Sequence, residues 1–77
     1  MRKSFHSEQY RRFVSVMAEA RAESGLTQQA LADSLGRPQS FVAKFEAGER
    51  RLDIVEFITI ARALRADPVK LLRRLLR

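Results

Sequence analysis

The stretch QQALADSLGRPQSFVAKFE, residues 28 to 46, sets a glycine and then, two residues later, a proline between two short runs of apolar spacing. Glycine enters the left-handed backbone region without steric cost, and proline pushes the residue before it out of helical geometry. A helix read into this stretch must stop at Gly36, and a second must start at Pro38, with a sharp corner at Arg37 between them. No segment alternates apolar and polar residues over the about 4 to 8 positions a half-buried strand needs, whereas spacings of three and four recur throughout. The fold is therefore read as all-α.

The remaining boundaries have local chemical causes. The first helix is expected from an N-cap at Ser7 to Ser24, with Tyr10, Phe13, Val14, Met17 and Arg21 on one face and Gly25 as its left-handed stop. Thr27 caps a second helix, Gln28 to Leu35, whose buried stripe is Leu31, Ala32 and Leu35. Pro38 suits the first turn of the third helix, where the N–H it lacks would be unpaired anyway; Val42 and Phe45 face inward and Gly48 closes it. Asp53 caps a fourth helix with Ile54, Phe57, Ile58, Ala61 and Leu64 inside. Asp67 and Pro68 repeat that kind of start for a last helix, VKLLRRLLR.

Seventy-seven residues, 45% of them hydrophobic and 31% charged, fit one domain over 1–77. A core of this size supplies about 3–5 kcal/mol, so a chain without cysteine must rely on well-matched helices or on self-association. The lack of cysteine removes disulfides, zinc ribbons and thiol chemistry. The start MRKSFHSEQYRR has no apolar run of about 7 to 15 residues behind its cations, so it does not read as a signal peptide. No segment approaches the about 20 apolar residues that cross a bilayer, and a cytoplasmic location is expected. A net charge of +6 favours a polyanion, whether DNA, RNA or an anionic membrane surface, without choosing among them.

The choice comes from the motif. Counting Gln28 as the first position, the fifth is Ala32, the ninth Gly36, the fifteenth Val42 and the eighteenth Phe45. A small residue, a glycine, a branched apolar residue and a larger apolar residue at those places let two helices approach, turn and bury the back of the second. With GLTQ before it and FEAGERR after it, the segment over residues 25 to 72 resembles the phage-repressor and Cro-like, Xre-type helix-turn-helix DNA-binding family. The resemblance implies a five-helix bundle of the lambda-repressor-like type, with the helix-turn-helix at the second and third helices. Pro38 departs from the pattern, because many relatives carry a serine or threonine there that can cap the third helix or touch a phosphate.

The resemblance also implies roles. If the third helix enters a major groove of double-stranded DNA, Gln39, Ser40 and Lys44, which lie away from Val42 and Phe45 on the helical wheel, become base contacts. Phe41 stands beside the buried stripe; it is a further base contact through a thymine methyl, or it folds against the domain with Phe45. Gln28 at the start of the second helix is expected on a phosphate, the plain alternative being a solvated glutamine. Arg37, Arg50 and Arg51 are expected on the DNA backbone, positioning the domain without reading sequence. Arg21 is expected to pair with Glu46 and orient the third helix.

The last helix, 68–77, carries more apolar side chains than one buried stripe uses. Leu71, Leu72, Leu75 and Leu76 are expected to form a homodimer interface, the competing readings being an amphipathic membrane helix or leucines packed within one domain. The function implied is a sequence-specific, dimeric transcriptional regulator of a palindromic or pseudopalindromic operator, set against a helical protein-interaction module, antitoxin-like or an adaptor, that has lost DNA binding. The chain leaves few residues for a separate ligand-sensing domain, so operator occupancy would follow its own concentration. An enzyme is the least favoured class, since His6 is the sole histidine and no carboxylate cluster has ligand spacing. No cofactor, metal, membrane or small-molecule substrate is expected.

Overall fold

The computed structural model describes residues 7–77, and His6 lies outside that range. Five helices follow one another: α1 Glu8–Ser24, α2 Gln28–Leu35, α3 Gln39–Glu46, α4 Ile54–Ala63 and α5 Pro68–Leu76. There is no strand among the described residues. None of these helices is long and apolar enough to cross a membrane.

Each start is capped by a side chain, with one exception. Ser7, Thr27, Asp53 and Asp67 accept from the backbone N–H of Tyr10, Ala30, Glu56 and Val69. The exception is α3, where Pro38 sits at the cap position with an extended backbone (φ −69°, ψ 154°) and makes no side-chain cap. The sequence expectation placed Pro38 inside the first turn; the helix begins one residue later, because the proline ring suits the φ of either position and ψ decides. Its carbonyl accepts from the Phe41 N–H at 2.9 Å.

The stop at Gly36 uses the expected backbone, φ 66° and ψ 31°. Gly36 N–H donates to Asp33 O and Arg37 N–H to Ala32 O, at 3.2 and 3.0 Å, so the last carbonyls of α2 are satisfied within the turn itself. A Cβ at Gly36 would meet nothing within 4 Å, so conformation rather than space calls for glycine there. The same pair of bonds closes α4, from Arg65 to Arg62 O and from Ala66 to Ala61 O, yet the residue in the left-handed position is Arg65, at φ 57°.

These turns fold the five helices around one core. The α2 helix packs on α3 and α4, α1 on α3 and α5, and α4 on α5. Met17, Leu31, Val42, Phe45 and Ile60 are fully enclosed at its centre. Burying each such side chain is worth about 1.5–3 kcal/mol, which is why so short a chain can afford few polar intrusions. Rings extend the core outward: Phe13 meets Phe57 at 5.7 Å between centroids, and Tyr10 meets Phe13 at 5.5 Å. On α1 the buried residues are Val16, Met17 and Ala20, while Tyr10, Phe13 and Val14 are half-buried. Contact with α3 on one side and α5 on the other turns the inward face past the stripe read from spacing.

Two expectations at the far end of the bundle are corrected. Ile54, expected inside, is 62% exposed, and Ile60 takes the buried place on α4. Leu71, expected at a dimer interface, is 3% exposed and belongs to the core of its own domain. Leu72 and Leu75 are half-buried, and Leu76 is exposed. The α5 helix is tied to α1 by Arg74, whose Nη2 donates to Glu23 Oε1 at 2.8 Å, a surface pair that solvent screens.

The start of α4 carries a second, charged fastening. Glu56 Oε1 accepts both the Asp53 N–H at 3.0 Å and Arg50 Nη1 at 2.9 Å, so one carboxylate caps the helix and holds the preceding loop. The Arg50 hydrogen bond, then the Asp53 N–H, hold the Glu56 carboxyl below its ordinary value. A carboxyl depressed on folding stabilises the fold above its unfolded pKa of about 4.3, and that contribution is lost as pH falls through the folded value. Glu56→Gln is therefore expected to lower the Tm at neutral pH and to converge with wild type at a pH below both values, in circular-dichroism melts. A difference independent of pH would remove the ion pair from the account. At the other corner, Arg65→Gly relieves a left-handed strain of about 1–2 kcal/mol and adds about 0.4–1 kcal/mol of unfolded-chain freedom. The net gain, up to about 1.6 kcal/mol, should appear as a Tm up to a few degrees higher.

Candidate DNA-binding surface

Six of the eight residues of α3 fall on two faces, and the other two, Ala43 and Glu46, are half-buried. Phe41, Val42 and Phe45 are buried against the bundle, while Gln39, Ser40 and Lys44 are exposed. Helical geometry puts positions three and four apart on one side, so the apolar places that anchor the helix necessarily leave its polar places outward. The buried side is held by packing: Ala32, fully enclosed on α2, is small enough for the two helices to approach, and the Phe41 and Phe45 rings meet edge to face at 5.5 Å.

The expected partnership of Arg21 and Glu46 is present and bidentate. Arg21 Nε donates to Glu46 Oε2 at 2.6 Å and Nη2 to Oε1 at 3.0 Å, while Nη1 donates to the Leu26 carbonyl at 2.8 Å. Side-chain exposures of 19% and 8% put the pair largely out of water. The Glu46 hydrogen bond raises the Arg21 pKa further above its ordinary value, so the guanidinium stays charged. One side chain thus ties α1, the loop before α2 and the end of α3 together.

Gln28 was expected on a phosphate, but its side chain is engaged at both ends within the domain. Its Nε2 donates to Glu46 Oε1 at 2.9 Å, and its Oε1 accepts from Gln39 Nε2 at 2.7 Å. Two residues expected to act separately on DNA are therefore brought into contact with each other and with the ion pair behind them. No sequence signal announces this, because such bonds depend on how closely the starts of α2 and α3 approach.

Phe41 departs from the expectation of a base contact. It is 7% exposed, and its ring is covered by two guanidinium groups, Arg37 at 4.0 Å and Arg50 at 5.0 Å from the centroid. Of the two alternatives the sequence left open, the ring has taken the fold. Its face attracts cations, and it gathers Arg37 from the turn and Arg50 from the later loop beside α3. Arg50 also donates through Nη1 to the Arg51 carbonyl at 2.7 Å, as well as to Glu56. A guanidinium has five N–H donors, so both bonds on one nitrogen still leave others available.

Arg51 does not join this group. Its guanidinium stacks 4.1 Å from the Tyr10 centroid, in a groove also lined by Phe13 and Leu75 between α1 and α5. The Tyr10 hydroxyl in turn accepts from the Leu52 N–H at 3.2 Å. The ring drew the arginine to the other side of the loop, which its proximity to Arg50 in sequence could not reveal.

These features match known proteins. A family model described as Helix-turn-helix matches residues 17–71. No curated protein sequence matches the chain. Among solved structures, an XRE-family like protein from Pseudomonas syringae pv. tomato is 46% identical over 92% of this chain and 87% of its own, with a TM-score of 0.86. The restriction-modification controller protein C.AhdI from Aeromonas hydrophila is 32% identical over 80% of this chain and 94% of its own, with a TM-score of 0.72. A mutant of the restriction-modification controller C.Esp1396I shares the fold at a TM-score of 0.84 and 24% identity, over 91% of this chain and 93% of its own. With its half-buried ion pair, its glycine corner and its outward-facing third helix, the chain belongs to the XRE-type helix-turn-helix family of DNA-binding transcription regulators.

Proposed function

We propose that the domain is a sequence-specific regulator that lays α3 in the major groove of double-stranded DNA and binds a palindromic or pseudopalindromic operator as a homodimer. The observation that carries this reading is the exposure of Gln39, Ser40 and Lys44 on a helix whose reverse side is locked in the core. Gln39 can form two hydrogen bonds with adenine, Lys44 can reach guanine O6 or N7, and Ser40 accepts several partners. Arg37 and Arg50, held side by side on Phe41, supply backbone contacts. With the Gln28 side chain occupied, the backbone N–H groups at the start of α2 meet the neighbouring phosphate. Arg51, braced on Tyr10, is left out of the contact set. A cytoplasmic location, on the nucleoid when bound, follows from that role.

The homodimer rests on size and on exposed apolar surface. Ile54 and Val55 on α4, and Val69 and Leu76 on α5, are more than half exposed, Leu76 to 73%. Val69, Leu72 and Leu76 follow one another at helical spacing, so the outer stripe of α5 replaces the Leu71-containing set read from the sequence. A two-fold pair would place two copies of α3 on half-sites about 34 Å apart. The likeness to the restriction-modification controller C.AhdI supports a regulatory role of this kind.

Two experiments test the reading. In competition binding on a duplex selected from random DNA, Gln39→Ala should lose about 5- to 150-fold for that duplex and little for unrelated DNA, whereas Arg37→Ala should weaken both and lower the salt slope by about 1. If neither variant alters binding and salt has no effect, the domain is a protein-interaction module instead. In sedimentation, Val55→Glu with Leu76→Glu should give a folded monomer; an unchanged dimer would place the interface elsewhere.

A further inference from the structure

Cations also gather away from α3. Lys70, Arg73 and Arg77 stand exposed on α5, and none of the three makes a side-chain hydrogen bond or ion pair among the described residues. Lys70 lies three and four residues from Arg73 and Arg74, and Arg73 four from Arg77, spacings at which like charges repel. The helix dipole favours cations at the end of α5 but opposes Lys70 in its first turn. Arg74 finds acids, Glu19 and Glu23 on α1, and Arg12 adds another cation at the end of the helix, donating to Arg77 O at 2.9 Å. No carboxylate among the described residues pairs with Lys70, Arg73 or Arg77; a polyanion laid along the helix would offset their repulsion. This side of the molecule faces away from α3. Glu19, Arg21 and Glu23 are spaced by two along α1, and at about 100° per residue each points roughly opposite to the next. Glu19 and Glu23 hold α5 through Arg74, while Arg21 holds α3 through Glu46, so the two helices lie on opposite flanks of α1.

We propose that the exposed cationic side of α5 holds the sugar-phosphate backbone of a second duplex, so that one homodimer bridges two segments of DNA. The proposal rests on the reading of α3 as the helix that takes the first duplex and of the outer apolar stripe as the dimer surface. Leu71 points into the core and Arg74 to α1, and the helical turn puts Lys70, Arg73 and Arg77 beyond Arg74, where a duplex on α3 leaves them uncovered. With Val69, Leu72 and Leu76 covered by the second copy, what α5 leaves in solvent is charge. Phosphates meet that need, whereas a bilayer surface holds a helix by its apolar side chains as well. Residues 68–77 contain no aromatic side chain, so they lack the stacking platform that holds single strands. Nor do they contain Gln, Asn, Ser or Thr; the second duplex is held by its backbone, whatever its sequence.

The test mixes the protein with two duplexes of different length, one selected from random DNA and one unrelated, and weighs the complexes by native mass spectrometry. The expected species is one homodimer carrying both duplexes. Lys70→Gln with Arg73→Gln should lower the ratio of two-duplex to one-duplex complexes about tenfold and leave affinity for the selected duplex within about twofold of wild type. Because neither side chain has a partner to lose, the melting temperature of this variant should not fall. Arg62→Gln, which removes charge from the exposed side of α4 instead, should leave the ratio unchanged. An equal fall with Arg62→Gln makes the effect one of net charge and overturns the proposal. Wild type that carries a single duplex at every DNA concentration also overturns it, while leaving the reading of α3 intact. Flotation with phosphatidylglycerol vesicles that Arg73→Gln reduces, without any two-duplex complex, gives this side of α5 to a membrane surface and overturns it too. If no selected duplex is bound at all, the reading of α3 falls and the second site falls with it.

Discussion

Everything presented on the outer side of α3 depends on how the Arg21–Glu46 pair is held. Taking two charges largely out of water costs several kcal/mol per ion, and the attraction between them offsets that only with close geometry and further hydrogen bonds. Here both carboxylate oxygens and three guanidinium nitrogens are in use, with Leu26 and Gln28 taking the positions the pair itself leaves open. An apolar pair of similar volume could serve stability as well. What it could not supply is direction, because packing is indifferent to rotation by a few degrees and a bidentate fork is not.

The helix so oriented is short, and its anchoring is divided by chemistry. Val42 and Phe45 fix its depth, the turn at Gly36 fixes its angle to α2, and Phe41 settles what lies beside it. That last ring is one of the less obvious parts of the design. By sitting under Arg37 and Arg50 it limits the wandering of two long side chains, each of which would otherwise lose up to about 2 kcal/mol of rotamer entropy on being fixed by a partner.

Much of this was legible beforehand because the signals are local. Ser7, Thr27, Asp53 and Asp67 announce helix starts through side chains that reach only three residues or fewer, and Gly25 and Gly36 announce stops through their own backbone. What could not be read depends on neighbours distant in sequence. On α4, the sets 54, 57, 58, 61 and 57, 60, 61, 64 both satisfy the helical period, and the positions of α2 and α5 decide that Ile60 is enclosed and Ile54 is not. On α5 the presence of α1 decides that Leu71 points in. The Gln28 bonds and the Arg51 stack on Tyr10 follow from separations of a few ångströms between elements, for which residue types carry no pattern.

The inward place of Leu71 has a consequence of its own. The helix that completes the monomer's interior is also the one whose outer stripe ends at Leu76, five residues further on. If a second copy covers that stripe, whatever frays α5 weakens the core and the pairing together, and pairing in turn steadies the core by mass action. Intact tertiary structure would then rise with the number of copies present, making the molecule a gauge of its own dosage.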